Sequence, residues 1–241
     1  MAKEVRLAKF IASAGIVSRR QAEELIQSGR IKINGTTVSQ QGLKIDPEHD
    51  IVEVDGVVVK NSKKPLYLLL NKPAGYICSM KDPQGRPTVT DLISIGDERV
   101  YPVGRLDYHT EGLLLLTNDG DFANKMIHPR YQIKKRYRAL VEGCPDDNDI
   151  SRLEKGVVLE DGLTAPARVE IKKRQKDCSV LEIEIHEGKK RQVRRMLAAV
   201  GHPVKYLERI SFSFLTLDGV ARGQYRFLSE KEVYRLTEDS D

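Results

Sequence analysis

The chain has 241 residues, room for one large domain or for a small module beside a larger one at roughly 150 residues per domain. A hydrophobic share of 40% against 31% charged residues is that of a globular chain able to bury a core, which excludes a disordered or fibrous protein. Forty Lys and Arg against 35 Asp and Glu leave a net charge of +5, an excess that matters only where it clusters.

No apolar run approaches the roughly 18 residues of a bilayer span. The charged start Met1-Ala2-Lys3-Glu4-Val5-Arg6 lacks the hydrophobic stretch of a signal peptide. A cytoplasmic protein without a membrane partner is the expectation. Cys78, Cys144 and Cys178 make no Cys-x-x-Cys pair, and His49, His109, His128, His186 and His202 make no His-x-x-x-His pair. Neither a disulfide framework nor a metal site is indicated, and no P-loop or dinucleotide fingerprint calls for a cofactor.

In chain order, Leu7, Phe10, Ile11 and Ala14 recur at helical spacing and Gly15 can close the helix. Ser18 with Gln21 three residues on forms a capping signal for a second helix carrying Ala22, Leu25 and Ile26, which Gly29 ends. Ile31-Lys32-Ile33 then alternates into Asn34-Gly35, and Ile51-Val52-Glu53-Val54 reaches Asp55-Gly56 before Val57-Val58-Val59, two strong hairpin signals. Arg6, Lys9, Arg19, Arg20, Arg30 and Lys32 gather on the helices, their turn and the next strand, while the acids Asp46, Glu48, Asp50, Glu53 and Asp55 come later. This basic ααβ unit, residues 1–62, resembles the RNA-binding module named after the fourth protein of the small ribosomal subunit. The resemblance implies that those six cations face structured RNA.

Asn61-Ser62-Lys63-Lys64-Pro65 is polar and aperiodic, as a linker should be. Leu66-Tyr67-Leu68-Leu69-Leu70 before Asn71-Lys72-Pro73, and Gly112-Leu113-Leu114-Leu115-Leu116-Thr117 before Asn118-Asp119-Gly120, read as strands buried on both faces. Val180 to Ile185 alternates, and helical spacing appears around Asp121–His128 and Lys190–Val200. Strands without a βαβ rhythm point to an α+β domain over 63–236 with a mixed, largely antiparallel sheet and flanking helices, followed by an acidic tail, 237–241.

Tyr101-Pro102-Val103-Gly104-Arg105-Leu106-Asp107-Tyr108-His109-Thr110-Glu111-Gly112 lies between two expected strands, where a loop can present Asp107 to a ligand. With Thr117-Asn118-Asp119-Gly120 behind it, this segment resembles the active-site segment of pseudouridine synthases. It is closest to the ribosomal small- and large-subunit group, and within that group to the large-subunit type. Lys135-Arg136-Tyr137 matches the family's Lys-x-Tyr motif, and Glu187-Gly188-Lys189-Lys190-Arg191-Gln192-Val193-Arg194-Arg195-Met196-Leu197 its closing motif. The resemblance runs over about residues 3 to 236. It implies isomerisation of a ribosomal RNA uridine, Asp107 at the reaction centre, Tyr137 packed on the base, Arg194 paired with Asp107, and Arg105 aiding base extrusion. Lys189-Lys190 and Ser213-Phe214 depart from the family's usual Arg-Asn and Gly-Pro.

Helix geometry tests the third stretch independently. Val193, Met196, Leu197 and Val200 define a buried face, with Arg194 about 100° from Val193 at its border. Lys189, Lys190, Arg191 and Arg195 then form a basic ridge with no acid adjacent in sequence, a pattern suited to RNA phosphates. A carboxylate at Asp107 pressed against a base would be pushed above its reference pKa of about 3.9, which a neighbouring arginine offsets. Two other readings stand beside this one: a non-catalytic ribosome assembly factor, and a synthase acting on another structured RNA such as transfer RNA. No heptad seam is visible, so a monomer is expected.

Overall fold

The computed structural model describes residues 4–60, 64–96 and 98–238, which group into two compact units. The first contains the chain up to Pro65 with Gly96–Arg99 and Asn118–Gly120, and the second contains the rest. The expected linker at 61–65 and the end of the acidic tail fall partly outside the described residues.

In the first unit the helices Leu7–Ser13 and Arg19–Gln27 form where the spacing places them. The Ser18 hydroxyl accepts the Gln21 N–H while Gln21 Oε1 accepts the Ser18 N–H, satisfying two donors that the helix start would otherwise orphan. The sheet order is Thr36–Val38, Ile31–Ile33, Val52–Val54, Val57–Val58, all antiparallel. Its two hairpins turn at Asn34-Gly35 and Asp55-Gly56, where both central residues of each turn have positive φ, the requirement of a type I′ turn. A two-residue pairing of Val5–Arg6 with Lys44–Ile45 was not expected, because strands that short carry no alternation signal. Leu7, Ile11, Ala22, Ile26, Ile31 and Val52 form the core.

The second unit is α+β. Its main sheet runs Arg168–Arg174, Cys178–Ile185, Lys135–Glu142, Val204–Phe212, Glu111–Thr117, Tyr67–Lys72, Tyr225–Phe227. The pairing of Val204–Phe212 with Glu111–Thr117 is parallel and the other pairings along this path are antiparallel, so the sheet is mixed. Cores on both faces explain the leucine runs: Leu68, Leu70, Leu114 and Leu116 enter one buried cluster, and Leu69, Leu113 and Leu115 the other. Asn71 and Lys72, read from sequence as ending the apolar run, continue the first of these strands.

The helices Gly120–Ile127 and Gln192–Ala199 lie where periodicity indicated. Asp147–Lys155 and Glu230–Glu238 were not anticipated, although each begins with a readable cap, Asp146 with Asp149 and Ser229 with Glu232. The last helix includes Thr237 and Glu238, which corrects their placement in an acidic tail; the Thr237 carbonyl accepts a hydrogen bond from Lys125. The departure at Ser213-Phe214 forms the two-residue turn between Phe212 and Leu215. Ser213 takes φ +50, a conformation that glycine adopts without strain, and the Phe214 ring receives the Arg235 guanidinium at 4.0 Å.

The junction at the middle of the sheet depends on Gly112. It faces Arg209 across the parallel pairing at φ +101, and a Cβ there would lie 2.3 Å from the Arg209 carbonyl oxygen. Gly112→Ala therefore imposes both a left-handed conformation and a backbone clash, a loss of about 3 kcal/mol or more. We expect its thermal midpoint to fall by about 6–12 °C, measured by circular dichroism.

Candidate active site

The strand Tyr67–Lys72 ends in a lysine with no exposed surface. Its ammonium donates to the carbonyls of Thr110 (2.8 Å), Pro73 (3.0 Å) and Asp107 (3.3 Å), with that of Tyr108 at 3.5 Å. Burial pulls the Lys72 pKa below the ordinary lysine value, opposed by the charges of Cys78, Glu111 and Asp107. An ammonium that surrenders its water costs several kcal/mol, and here backbone oxygens of Pro73 and of the loop that carries Asp107 replace that water. The loop is tightened by the Thr110 N–H on the Asp107 carbonyl (3.0 Å) and the Gly75 N–H on the Tyr108 carbonyl (2.9 Å).

The clasp leaves the Asp107 side chain half-buried, with no hydrogen bond or ion pair to its carboxylate among the described residues. Leu106, just before it, is buried, and its N–H meets the Cys78 sulfur at 3.3 Å. Arg105 is exposed. Tyr137 lies on the strand Lys135–Glu142, is 8% exposed, and shares a buried cluster with Leu106.

Arg194 sits on the helix Gln192–Ala199 at the border of its buried face, whose members are Val193, Met196, Leu197 and Val200. The expected ion pair with Asp107 is not formed within 4.0 Å. The guanidinium donates to the His109 carbonyl (3.1 Å), the Thr110 hydroxyl (3.4 Å) and the Val204 carbonyl (3.3 Å), while Nε is sealed without a partner. It thus grips the backbone of the loop that carries Asp107. Burial first and Arg191 second lower its pKa, and Asp107 acts in the opposite direction.

The basic ridge divides. Arg195 makes a two-pronged ion pair with Asp161 (2.8 and 2.9 Å), and Lys189 donates to the Leu163 carbonyl at 2.9 Å. Asp161, which holds Arg195, comes from a turn 34 residues away, so both cations are engaged within the protein. Lys190 and Arg191 are exposed, and Arg191 opens the helix at φ +51. The first unit divides likewise: Arg6, Arg19, Arg20 and Lys32 are exposed and Lys9 is half-buried. Arg30 is held by Asp55 through bonds of 2.7 and 2.6 Å, so its charge is compensated.

Sequence reading missed Lys72, although a lysine inside an apolar run before a proline was a usable signal. It also missed Glu111, buried next to Thr110, which accepts the Tyr206 hydroxyl (2.9 Å) and the Arg222 guanidinium (2.8 Å). Burial and the Glu111 bond push the Tyr206 hydroxyl up to about 12. Arg209, 3% exposed, donates Nε to the Leu113 carbonyl at 2.6 Å. No local pattern marks these partners, which come from distant strands and loops.

A family model described as RNA pseudouridylate synthase matches residues 66–199, and a model of the S4 domain matches residues 5–51. The chain belongs to the RNA pseudouridylate synthase family: it is an isomerase acting on RNA, with an S4 domain ahead of the catalytic domain. It is 48% identical over 233 residues to the ribosomal large subunit pseudouridine synthase B of Bacillus subtilis (strain 168), covering 96% of this chain and 95% of that one. A relative described as an uncharacterized RNA pseudouridine synthase of Aquifex aeolicus (strain VF5) is 48% identical over 234 residues, covering 97% of this chain and 94% of its own. A crystal structure of a pseudouridylate synthase, 31% identical, superposes with a TM-score of 0.71 over 96% of this chain and 99% of that one. The alternative of a non-catalytic assembly factor gives way to this membership. Among the described residues no helix is long and apolar enough to cross a membrane.

Two outcomes follow from the buried lysines. Lys72→Met leaves the loop carbonyls without a donor and frees the backbone around Asp107; we expect a stability loss of about 3 kcal/mol and at least about a 100-fold fall in turnover. Lys135, nine-tenths buried, is lowered by desolvation and by Arg209 to about 8. A depressed lysine pKa means that the unfolded chain holds more protons between the two values, so stability rises with pH there. Urea unfolding should show Lys135→Met stabilised over the parent by up to about 3 kcal/mol at pH 7, the gap closing as pH rises from about 8 to 10.5.

Proposed function

We propose that this synthase converts a uridine of ribosomal RNA, in the large subunit, to pseudouridine, with Asp107 as the reacting carboxylate. The observation that carries the reading is the Lys72 and Arg194 grip on the Asp107–Thr110 backbone, which leaves the Asp107 carboxylate itself unengaged. A fixed backbone with a free acid is what a nucleophile or base requires. The ribosomal assignment is supported by near-half identity to a synthase named for the large ribosomal subunit, over both domains. We place the enzyme in the cytoplasm, as a monomer.

The target uridine leaves its stack, and its base packs against Tyr137, stacking that returns about 1–3 kcal/mol of the flipping cost. Arg105, exposed and two residues before Asp107, fills or props the gap left in the RNA. Arg194, gripping the His109 carbonyl and the Thr110 hydroxyl, supplies positive potential on the side of the loop that carries the carboxylate. Arg6, Lys9, Arg19, Arg20 and Lys32 of the S4 domain, with Lys190 and Arg191, meet phosphates. Arg30, Lys189 and Arg195, assigned to RNA from sequence, are held by Asp55, the Leu163 carbonyl and Asp161 and so offer phosphates less of their charge.

With ribosomal RNA tritiated at uracil C5, the parent should release tritium, whereas Asp107→Asn should bind the RNA and release none. Release by the variant would remove Asp107 from the chemistry, and release only from another RNA would move the substrate. Filter binding across salt concentrations should show Arg19→Ala and Arg20→Ala each reducing the logarithmic salt slope by about 1, with Arg30→Ala changing it far less.

A further inference from the structure

Two buried cations of the catalytic domain form no ion pair, although Glu187 acts on Lys135 from beyond ion-pair distance. Arg209 is 3% exposed, its Nη2 is sealed from solvent without a partner, and its Nε donates to the Leu113 carbonyl. Lys135 is 9% exposed and donates to the His186 carbonyl at 3.2 Å. Both stand over one ring: the Arg209 guanidinium is 5.5 Å and the Lys135 ammonium 5.9 Å from the centre of Phe212. Among the described residues no carboxylate lies within ion-pair distance of either.

Their place in the sheet relates them to the site. Arg209 is the cross-strand partner of Tyr137 on one side and of Gly112 on the other, and Lys135 precedes Tyr137 by two residues on its own strand. Arg209 and Arg105 both act on the Cys78 thiol, whose sulfur meets the N–H of Leu106. Two mutually repelling cations held out of water create a positive potential that favours an anion beside them. A ring face offsets part of that charge without cancelling it.

Resting on the reading of Asp107 and Tyr137 given above, we propose that Arg209 and Lys135 stabilise the negative charge that uracil carries when its bond to ribose breaks. In that step the N1–C1′ electron pair leaves with the base and spreads over N1, O2 and O4. After the ring turns, C5 supplies the pair that bonds to C1′, the C5 hydrogen departs as a proton, and N1 takes up a proton, so atoms and charge balance. Cations fixed in a water-poor site act on charge as it develops, with no solvent reorganisation.

The test compares two RNAs, transcribed with uridine or with 5-fluorouridine, under single-turnover conditions, with product read by digestion to nucleosides and mass spectrometry: pseudouridine from the first, and from the second, whose C5 has no hydrogen to lose, the C5-linked nucleoside that keeps fluorine and takes up water across N1 and C6. Fluorine withdraws electrons and stabilises the ring anion, so the better leaving group needs less help from the protein. Arg209→Gln should slow uridine conversion by about 100-fold and 5-fluorouridine conversion by markedly less, with RNA affinity unchanged. Arg209→Lys, which keeps the cation, should recover much of the uridine rate, and Lys135→Met should repeat the unequal loss in milder form. Equal loss on both RNAs, or a loss confined to RNA affinity, would overturn the proposal in favour of a packing or phosphate-binding role. A parent that is inactive on both RNAs overturns this proposal with the ribosomal reading, whereas an active parent with equal losses leaves that reading standing.

Discussion

The catalytic domain turns on one lysine ammonium sealed inside it. Lys72 ends a buried strand and is surrounded by backbone carbonyls, three of them from the segment Asp107–Thr110. A buried lysine paired with a carboxylate would be an ordinary internal ion pair. Bound to carbonyls, it keeps its charge only while those oxygens stay in place, so the energetic demand of the cation becomes a constraint on the loop. The neighbouring pieces support it: Arg194 holds the His109 carbonyl and the Thr110 hydroxyl, Glu111 gathers Tyr206 and Arg222, and Gly112 lets two strands meet where a side chain would not fit.

The positive side chains sort into three populations by what they touch. Arg30, Arg195 and Lys189 are spent on folding, tied to Asp55, Asp161 and the Leu163 carbonyl. Lys72, Arg194, Arg209 and Lys135 are withdrawn from water to differing degrees around the site and bonded chiefly to backbone oxygens. Arg6, Arg19, Arg20, Lys32, Lys190 and Arg191 remain exposed. In the function proposed above, the exposed group gives reach and salt-dependent affinity for RNA, while the buried group shapes the potential felt by a reacting base. A net charge of only +5 conceals this division.

Local rules carried most of the fold. Ser18 with Gln21, the turns at Asn34-Gly35 and Asp55-Gly56, the leucine runs and the apolar face of Gln192–Ala199 were all readable, because each depends on residues within a few positions of one another. The short helices begun by Asp146 and Ser229 are equally local, their signal lying in the capping residues and not in apolar periodicity. Asp107, Arg105, Tyr137 and Arg194 were legible through family motifs alone; a lone aspartate in a glycine-bounded loop is most often a turn residue.

By itself the sequence determined the two-part organisation of a basic helical module and a strand-rich domain, the buried character of the central strands, and the identity of the loop that carries the candidate acid. Those follow from hydrophobic spacing and short-range hydrogen bonding, which act along the chain. Only the tertiary structure decided what each charge is for. Asp161 neutralises Arg195 from 34 residues away, Lys72 reaches carbonyls 35 to 38 residues on, and Arg209 meets Leu113 across 96. Charge interactions depend on distance in space and on the water removed between the partners, and neither is set until the strands have paired.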